Sequence, residues 1–345
     1  MKYRWMFGLV LLFSVAISAC RDNKVSGNKV TLNGAGATFP YPIYSKWFDE
    51  YGKSHPNVSI NYQSIGSGGG IRQLLAGTVD FGASDMPMTD QQLSEAKTGI
   101  LHVPTVLGAV VPIYNISGFG GSLAFTPQIL AGIYSGKIKF WDDEEIFRVN
   151  LAQLPHEDIL VVHRSDGSGT TFIFTDFLSK TNPDWKNKVG ASTAISWPAG
   201  VGAKGNEGVA GLVKQSPGAI GYVELIYATQ NNLPYGSVQN KAGKFIKAGL
   251  DTITAAASGF MKDMPSDFRV SIVNAPGDSA YPISSFTWLL VSTKFEDVDR
   301  WRALTDFLFW MLDSGQAMAP HLNYAPLPDA LRRQIRDSMK KNLRR

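Results

Sequence analysis

Three times in this chain a short apolar run enters a glycine-rich loop carrying a hydroxyl residue, and a helical pattern begins directly after it. The stretches are VTLNGAGATFPYPIY from Val30, VSINYQSIGSGGGIRQLL from Val58 and ILVVHRSDGSGTTFIF from Ile159. A strand that turns through glycine into a helix is the repeating unit of an α/β fold. The same construction leaves the first backbone N–H groups of each helix unpaired, at the partially positive end of its dipole. Glycine lets an anion approach that backbone closely, and Ser or Thr adds a hydroxyl donor. One such loop is ordinarily an N-cap. Three of them, around Thr38, Ser67 and Ser168 with Thr170, and Arg164 beside the last, point to one shared site for a small oxyanion.

The rest of the chain extends the alternation. PIYSKWFDEYGKSHP repeats apolar Ile43, Trp47 and Tyr51 at fourfold spacing, which predicts a helix. TDQQLSEA predicts another, opened by a capping box from Thr89 to Gln92. VDFGAS, LHVPTVLGAVVPIYN, AIGYVEL and SFTWLLVS read as strands or extended chain, EGVAGLVKQ and VDRWRALTDFLFWML as helices. In the closing DALRRQIRDSMKKNLRR, Leu331, Ile335, Met339 and Leu343 form a stripe opposite a basic face. That is the pattern of a helix packed on the protein surface, with a membrane-surface helix as the alternative.

The ends and the totals set the compartment and the size. Lys2 and Arg4 precede the apolar run from Trp5 to Ala19, and residues 1–19 read as an export signal. The run falls short of the ~20 residues that a membrane-spanning helix needs. Cys20, the chain's one cysteine, follows Ile17-Ser18-Ala19 in a tetrapeptide resembling a bacterial lipobox, so lipidation of Cys20 is expected. The other reading is an ordinary signal peptide with an incidental cysteine. Beyond Cys20 there is no thiol, which excludes disulfides, zinc–thiolate sites and cysteine nucleophiles. Residues 20–27 read as a polar tether. The remainder exceeds what one core usually serves, so two domains are expected. The formal charge of +4, two of it from Lys2 and Arg4, is too mild to argue for nucleic acid.

Catalytic readings fit poorly. A nucleophile elbow needs G-x-S-x-G, whereas Ser168 sits in Asp166-Gly167-Ser168-Gly169-Thr170. His163 belongs to the preceding strand, where packing explains it. A P-loop needs a Gly-Lys-Ser/Thr ending that none of the loops provides. GVGAKG, from Gly200 to Gly205, satisfies G-x-G-x-x-G, with Glu224 where a ribose ligand would lie. No convincing strand precedes it, and the match reads as coincidental. The scattered histidines form no zinc motif, so no metal and no cofactor are called for.

GAGATFPYPIYSKW, IGSGGGIRQL, VDFGASDMP, DGSGTTF and PGAIGYVE together closely resemble the phosphate-binding proteins of bacterial phosphate-specific (Pst) ABC importers. The resemblance runs, in order, through nearly all of the chain after the signal. It implies a two-lobed periplasmic binding protein of type II, with mixed sheets flanked by helices and the ligand in the inter-lobe cleft. Lobe I would comprise 28–115 and 286–345, lobe II 116–285. The implied partners are inorganic phosphate and the importer's permease, with its ATP-binding subunits, and a monomer is expected. Carried over by motif, the contacts would come from the Ala37–Phe39 loop, with Thr38 and Phe39 giving N–H groups and Thr38 its hydroxyl. Ser67, Ser168, Gly169 and Thr170 would add donors, Arg164 the cation and Asp85 the one acceptor. Asp166 would stiffen its loop or pair with Arg164. Two departures stand out: Gly68, where many relatives have a second serine, and His163, where relatives often have another basic residue.

Phosphate near neutral pH still carries a proton, which a buried carboxylate can accept in a charge-assisted hydrogen bond. Sulfate carries none, and would leave that carboxylate facing lone pairs and negative charge. Asp85 is therefore the expected selectivity element. The competing readings are a receptor for sulfate, molybdate or another oxyanion, an exported phosphatase or esterase using Ser168 or Ser67, and an envelope adhesion protein reusing the fold.

Overall fold

The sixteen-residue strand Ile100–Asn115 organises the molecule, because it pairs with different neighbours along its two halves. The computed structural model describes residues 29–343; the expected export signal, tether and Cys20 lie outside the described residues. The chain opens as β1 (Val30–Gly36), α1 (Tyr41–Ser54), β2 (Val58–Ser64), α2 (Ser67–Ala76), β3 (Phe81–Ser84), α3 (Asp90–Ser94) and β4 (Ile100–Asn115). It continues as β5 (Ala124–Phe125), α4 (Pro127–Tyr134), α5 (Glu144–Asn150), β6 (Leu160–Arg164), α6 (Gly169–Thr181) and α7 (Pro183–Lys188). Then follow β7 (Val201–Ala203), α8 (Gly205–Gln215), β8 (Ala219–Glu224), α9 (Leu225–Gln230), β9 (Ser237–Gln239), β10 (Phe245–Ile246) and α10 (Leu250–Ser258). Strand β11 (Ser284–Ser292), α11 (Val298–Asp313), a 3-10 segment (Gly315–Leu322) and α12 (Asp329–Asn342) complete it.

These elements form a mixed eight-stranded sheet ordered β2-β1-β3-β11-β4-β8-β6-β7, and a small sheet ordered β10-β9-β5. Strands β1, β2 and β3 are mutually parallel, as are β6, β7 and β8. From Ile100 to Ala109, β4 pairs antiparallel with β11; from Val110 to Asn115 it pairs antiparallel with β8. Ser84, ending β3, lies opposite Trp288, which lies opposite Pro104 of β4. Glu224, ending β8, lies opposite Val110. The two parallel groups therefore run in opposing directions, and their carboxyl ends meet near the middle of β4. Loops after those ends are where open α/β sheets place ligands.

Local signals account for the elements. Ile43, Trp47 and Tyr51 are all buried, and the Trp47 indole N–H donates to Gly315 O at 2.8 Å. The Thr89–Gln92 capping box forms in both directions. Strand β4 is buried at every residue from Leu101 to Tyr114, so its apolar run reflects coverage on both faces. No helix among the described residues is long and apolar enough to cross a membrane. The stripe of α12 packs inward: Leu331, Ile335, Met339 and Leu343 are all buried in the main core, which favours the packed helix over the membrane-surface one. Leu331→Ala should then cost about 2–4 kcal/mol in urea unfolding. An unchanged midpoint would mean that the stripe serves some other surface.

Candidate functional site

All three glycine loops emerge at the carboxyl ends of strands and meet. Ser67, the first residue of α2, is fully buried and forms the centre of the contact. Its Oγ accepts from Asp85 N–H and from Gly169 N–H, both at 3.1 Å. With both lone pairs occupied, its hydrogen can only donate, and Asp85 Oδ2 lies 3.4 Å away. Gly68 N–H donates to Gly167 O at 2.9 Å, a second link between the same loops. Gly169 has to be glycine: a Cβ there would lie 2.4 Å from Ser67 Oγ and 2.6 Å from Asp85 Cβ. Ser168 caps α6, its Oγ accepting from Thr171 N–H at 3.0 Å. Thr38, in the loop before α1, is buried, as are Ala37 and Phe39.

The charged groups are arranged asymmetrically. Arg164, at the end of β6, donates from Nε to Asp166 Oδ1 at 2.8 Å and from Nη2 to Asp166 Oδ2 at 2.5 Å. Its Nη1 donates to Thr170 Oγ1 at 3.3 Å. Asp166 also accepts from Gly205 N–H at 3.1 Å. Burial raises its pKa, but Arg164 and that N–H outweigh burial and hold Asp166 below the usual carboxylate value. The fork of Arg164 is thus held on two sides, as bidentate pairing allows. Asp85 lacks such a partner. Burial pushes its carboxyl up from 3.8 to about 7, against the Thr287 hydroxyl, Arg164 and Ser67, which each pull it down. Thr287 Oγ1 donates to Asp85 Oδ1 at 2.8 Å.

A family model described as a PBP superfamily domain matches residues 22–314. The chain is 42% identical to the phosphate-binding protein PstS of Xylella fastidiosa (strain 9a5c), across 95% of each chain. It is 43% identical to the phosphate-binding protein PstS of Pasteurella multocida, across 90% of each. The chain belongs to the PstS family. A periplasmic phosphate-binding protein (PfluDING) solved with phosphate shares the fold, at TM-score 0.73 and 24% identity over 89% of this chain and 93% of that one. The expected mixed α/β fold of the two-lobed binding proteins is therefore the one this PstS-family chain adopts.

The motif residues of this family member converge, and sequence reasoning missed several of their supports. Asn206, at the start of α8, bonds to both Thr38 and Thr170. Tyr62 donates its hydroxyl to Ala37 O at 2.8 Å, Tyr227 to Thr38 O at 2.6 Å and Tyr324 to Phe39 O at 2.6 Å. GVGAKG, read as coincidental, spans β7 and the start of α8, and so brings Asn206 of that helix to the site. Glu224, fully buried, caps α9 through Ile226 N–H instead of facing a ribose.

The departures are local. A side chain at Gly68 would face Gly167 and Arg72, away from Asp85. The His163 ring stacks on Trp197, 4.9 Å between centroids, and burial lowers its pKa, so it adds no charge beside Arg164.

The raised Asp85 pKa gives a pH signature with a definite sign. Between 3.8 and about 7 the folded, ligand-free protein holds a proton that the unfolded chain releases. This stability is complete below the lower value and lost as pH rises through the upper one. Asp85→Asn removes that share, so its stability relative to wild type should climb across the window and level off above it. Parallel wild-type and variant curves of unfolding free energy against pH would contradict the assignment.

Proposed function

We propose that this chain is a non-enzymatic receptor that binds inorganic phosphate in the cell envelope and delivers it to the permease of a phosphate-import ABC transporter. Lobe I (28–115 and 286–345) and lobe II (116–285) would close on the anion as a hinge around the middle of β4. Thr38 and Phe39 N–H groups, the hydroxyls of Thr38, Ser67, Ser168 and Thr170, the Gly169 backbone and Arg164 would hold it. Asp85 would accept its proton. Export as a monomer, anchored through lipidated Cys20 and working with ATP-binding subunits, completes the reading.

The observation that carries it is Asp85 itself. A buried carboxyl sits among hydroxyl and N–H donors, and Arg164, the cation that pulls its pKa down, is already paired to Asp166. An ionised acid in an anion site is matched by an anion that brings a proton for it to accept. Above pH 7, sulfate would force Asp85 either to stay charged against it or to take a proton from water, at about 1.4 kcal/mol per pH unit. Most of the binding then comes from dipoles and donors, which suits a chain of small net charge. An esterase reading through Ser168 finds no base in His163, which stacks on Trp197, and Ser168 Oγ serves as a helix cap.

Calorimetric titration of the ligand-free protein at pH 8 tests the reading. Phosphate should bind tightly and sulfate give no heat, and Asp85→Asn should narrow the gap between them. Equal heats for both anions in the wild type would end the phosphate assignment. Gly169→Ala places a methyl group against Asp85 and Ser67, costing the closed form about 1–3 kcal/mol. Phosphate affinity should fall by one to two orders of magnitude. An unaltered affinity would mean that this contact is not part of the bound state.

A further inference from the structure

Asn206 lies outside the loops that the family resemblance carries over, and it is fully buried between two of them. Its amide orientation is fixed chemically. The Glu224 backbone N–H, which can only donate, points at Asn206 Oδ1 at 2.9 Å. The other end of the amide must therefore be the NH₂ group, which can only donate. Its two hydrogens go to Thr38 Oγ1 at 2.7 Å and Thr170 Oγ1 at 3.1 Å.

Those two hydroxyls are thereby left with one role. Thr38 Oγ1 also accepts from Asn206 backbone N–H at 3.3 Å, so both its lone pairs are engaged. Thr170 Oγ1 also accepts from Arg164 Nη1 at 3.3 Å, with the same result. Each keeps a single hydrogen and no acceptor capacity. Ser67 is brought to the same state by two backbone N–H groups. Left free, a threonine hydroxyl can turn either its hydrogen or a lone pair toward a ligand.

We propose that Asn206 is a positioning residue that sets the polarity of the site: it saturates the Thr38 and Thr170 oxygens so that both hydroxyls can only donate to a bound anion. Thr38 precedes α1 and Thr170 lies in α6, so one amide enforces donor character on both sides of the cleft. Of Asp85 and the hydroxyls of Ser67, Thr38 and Thr170, the Asp85 carboxyl alone then keeps acceptor capacity. The inference rests on the phosphate reading above and adds the device that enforces its donor pattern.

The test is a double-mutant cycle read by calorimetric phosphate titration, with urea unfolding of each variant alongside. Asn206→Ala should weaken phosphate binding about 30-fold, the scale of two charge-assisted hydrogen bonds losing alignment. In a Thr38→Val/Thr170→Val background the same change should cost less than about 3-fold, because the hydroxyls it acts through are gone. A purely architectural asparagine would give the same loss in both backgrounds, and that additivity would overturn the proposal, as would an undiminished affinity in Asn206→Ala. If Asn206→Ala does not fold, Asn206→Asp takes its place in the cycle, keeping the shape and the acceptor for Glu224 N–H. Its carboxylate draws the threonine hydrogens toward itself, so the loss must again shrink in the valine background. Wild-type protein that ignores phosphate would sink the phosphate reading and this inference together. Wild-type binding with additive losses sinks this inference alone.

Discussion

The hydrogen bond from Gly169 N–H to Ser67 Oγ is the contact around which the rest is arranged. It joins the start of α6 to the start of α2 across 102 residues of sequence, with Asp85 in the same cluster. It depends on a glycine whose Cβ would meet the Ser67 hydroxyl, and on a serine whose lone pairs are both taken. Ser67 in turn stands where it does because β1, β2 and β3 deliver their carboxyl ends to one place. Strand β4 then brings the oppositely directed group, ending at β6 and β8, to face them. Reversing either direction would put those loops at opposite edges of the sheet.

The three loops were legible because glycine, a hydroxyl residue and an incipient helix lie within a few positions of one another, and that local chemistry has one strong use. Arg164 was readable for the same reason, sitting beside the third loop, and pairing with Arg164 was one of two roles expected of Asp166; Asp85 was singled out only through the family resemblance. Asn206, Tyr62, Tyr227, Tyr324 and Thr287 were not. Tyr324 comes from the loop after the 3-10 segment and the others from elements whose local pattern only says strand or helix, and their partners lie 25 to 285 residues away in sequence. Helix α8 was foreseen, but its aim at the site was not, because β7 is three residues long and carries no periodicity. Thr287 lies where β11 shifts register against β4, between Thr287 and Trp288. Such irregularities re-aim side chains near functional sites and leave no trace in an apolar run.

Near-neutrality is a design constraint on the site as much as on the chain. Asp166 takes two hydrogens of Arg164, and Asp85 is pushed toward protonation by burial, so little net charge is available to attract an anion. In the proposed phosphate site, helix starts at α1, α2, α6 and α8 would supply the field instead. Fixed dipoles do not titrate and need no counterion, which makes discrimination depend on where hydrogens are, and less on how much charge a ligand carries.

The tyrosines complete that logic for the backbone donors. In a trans peptide the carbonyl of one residue and the N–H of the next share a plane and point in opposite directions. Tyr62 holds the Ala37 carbonyl and Tyr227 the Thr38 carbonyl, so the N–H groups of Thr38 and Phe39 are turned away from those rings and fixed there. A loop of Ala-Thr-Phe could otherwise rotate a peptide and present a carbonyl oxygen, which would repel the anion its amide attracts. Tyr62 rises from β2 and Tyr227 from α9, so the donor pattern of this one loop is held from both parallel groups, as its hydroxyl is by Asn206.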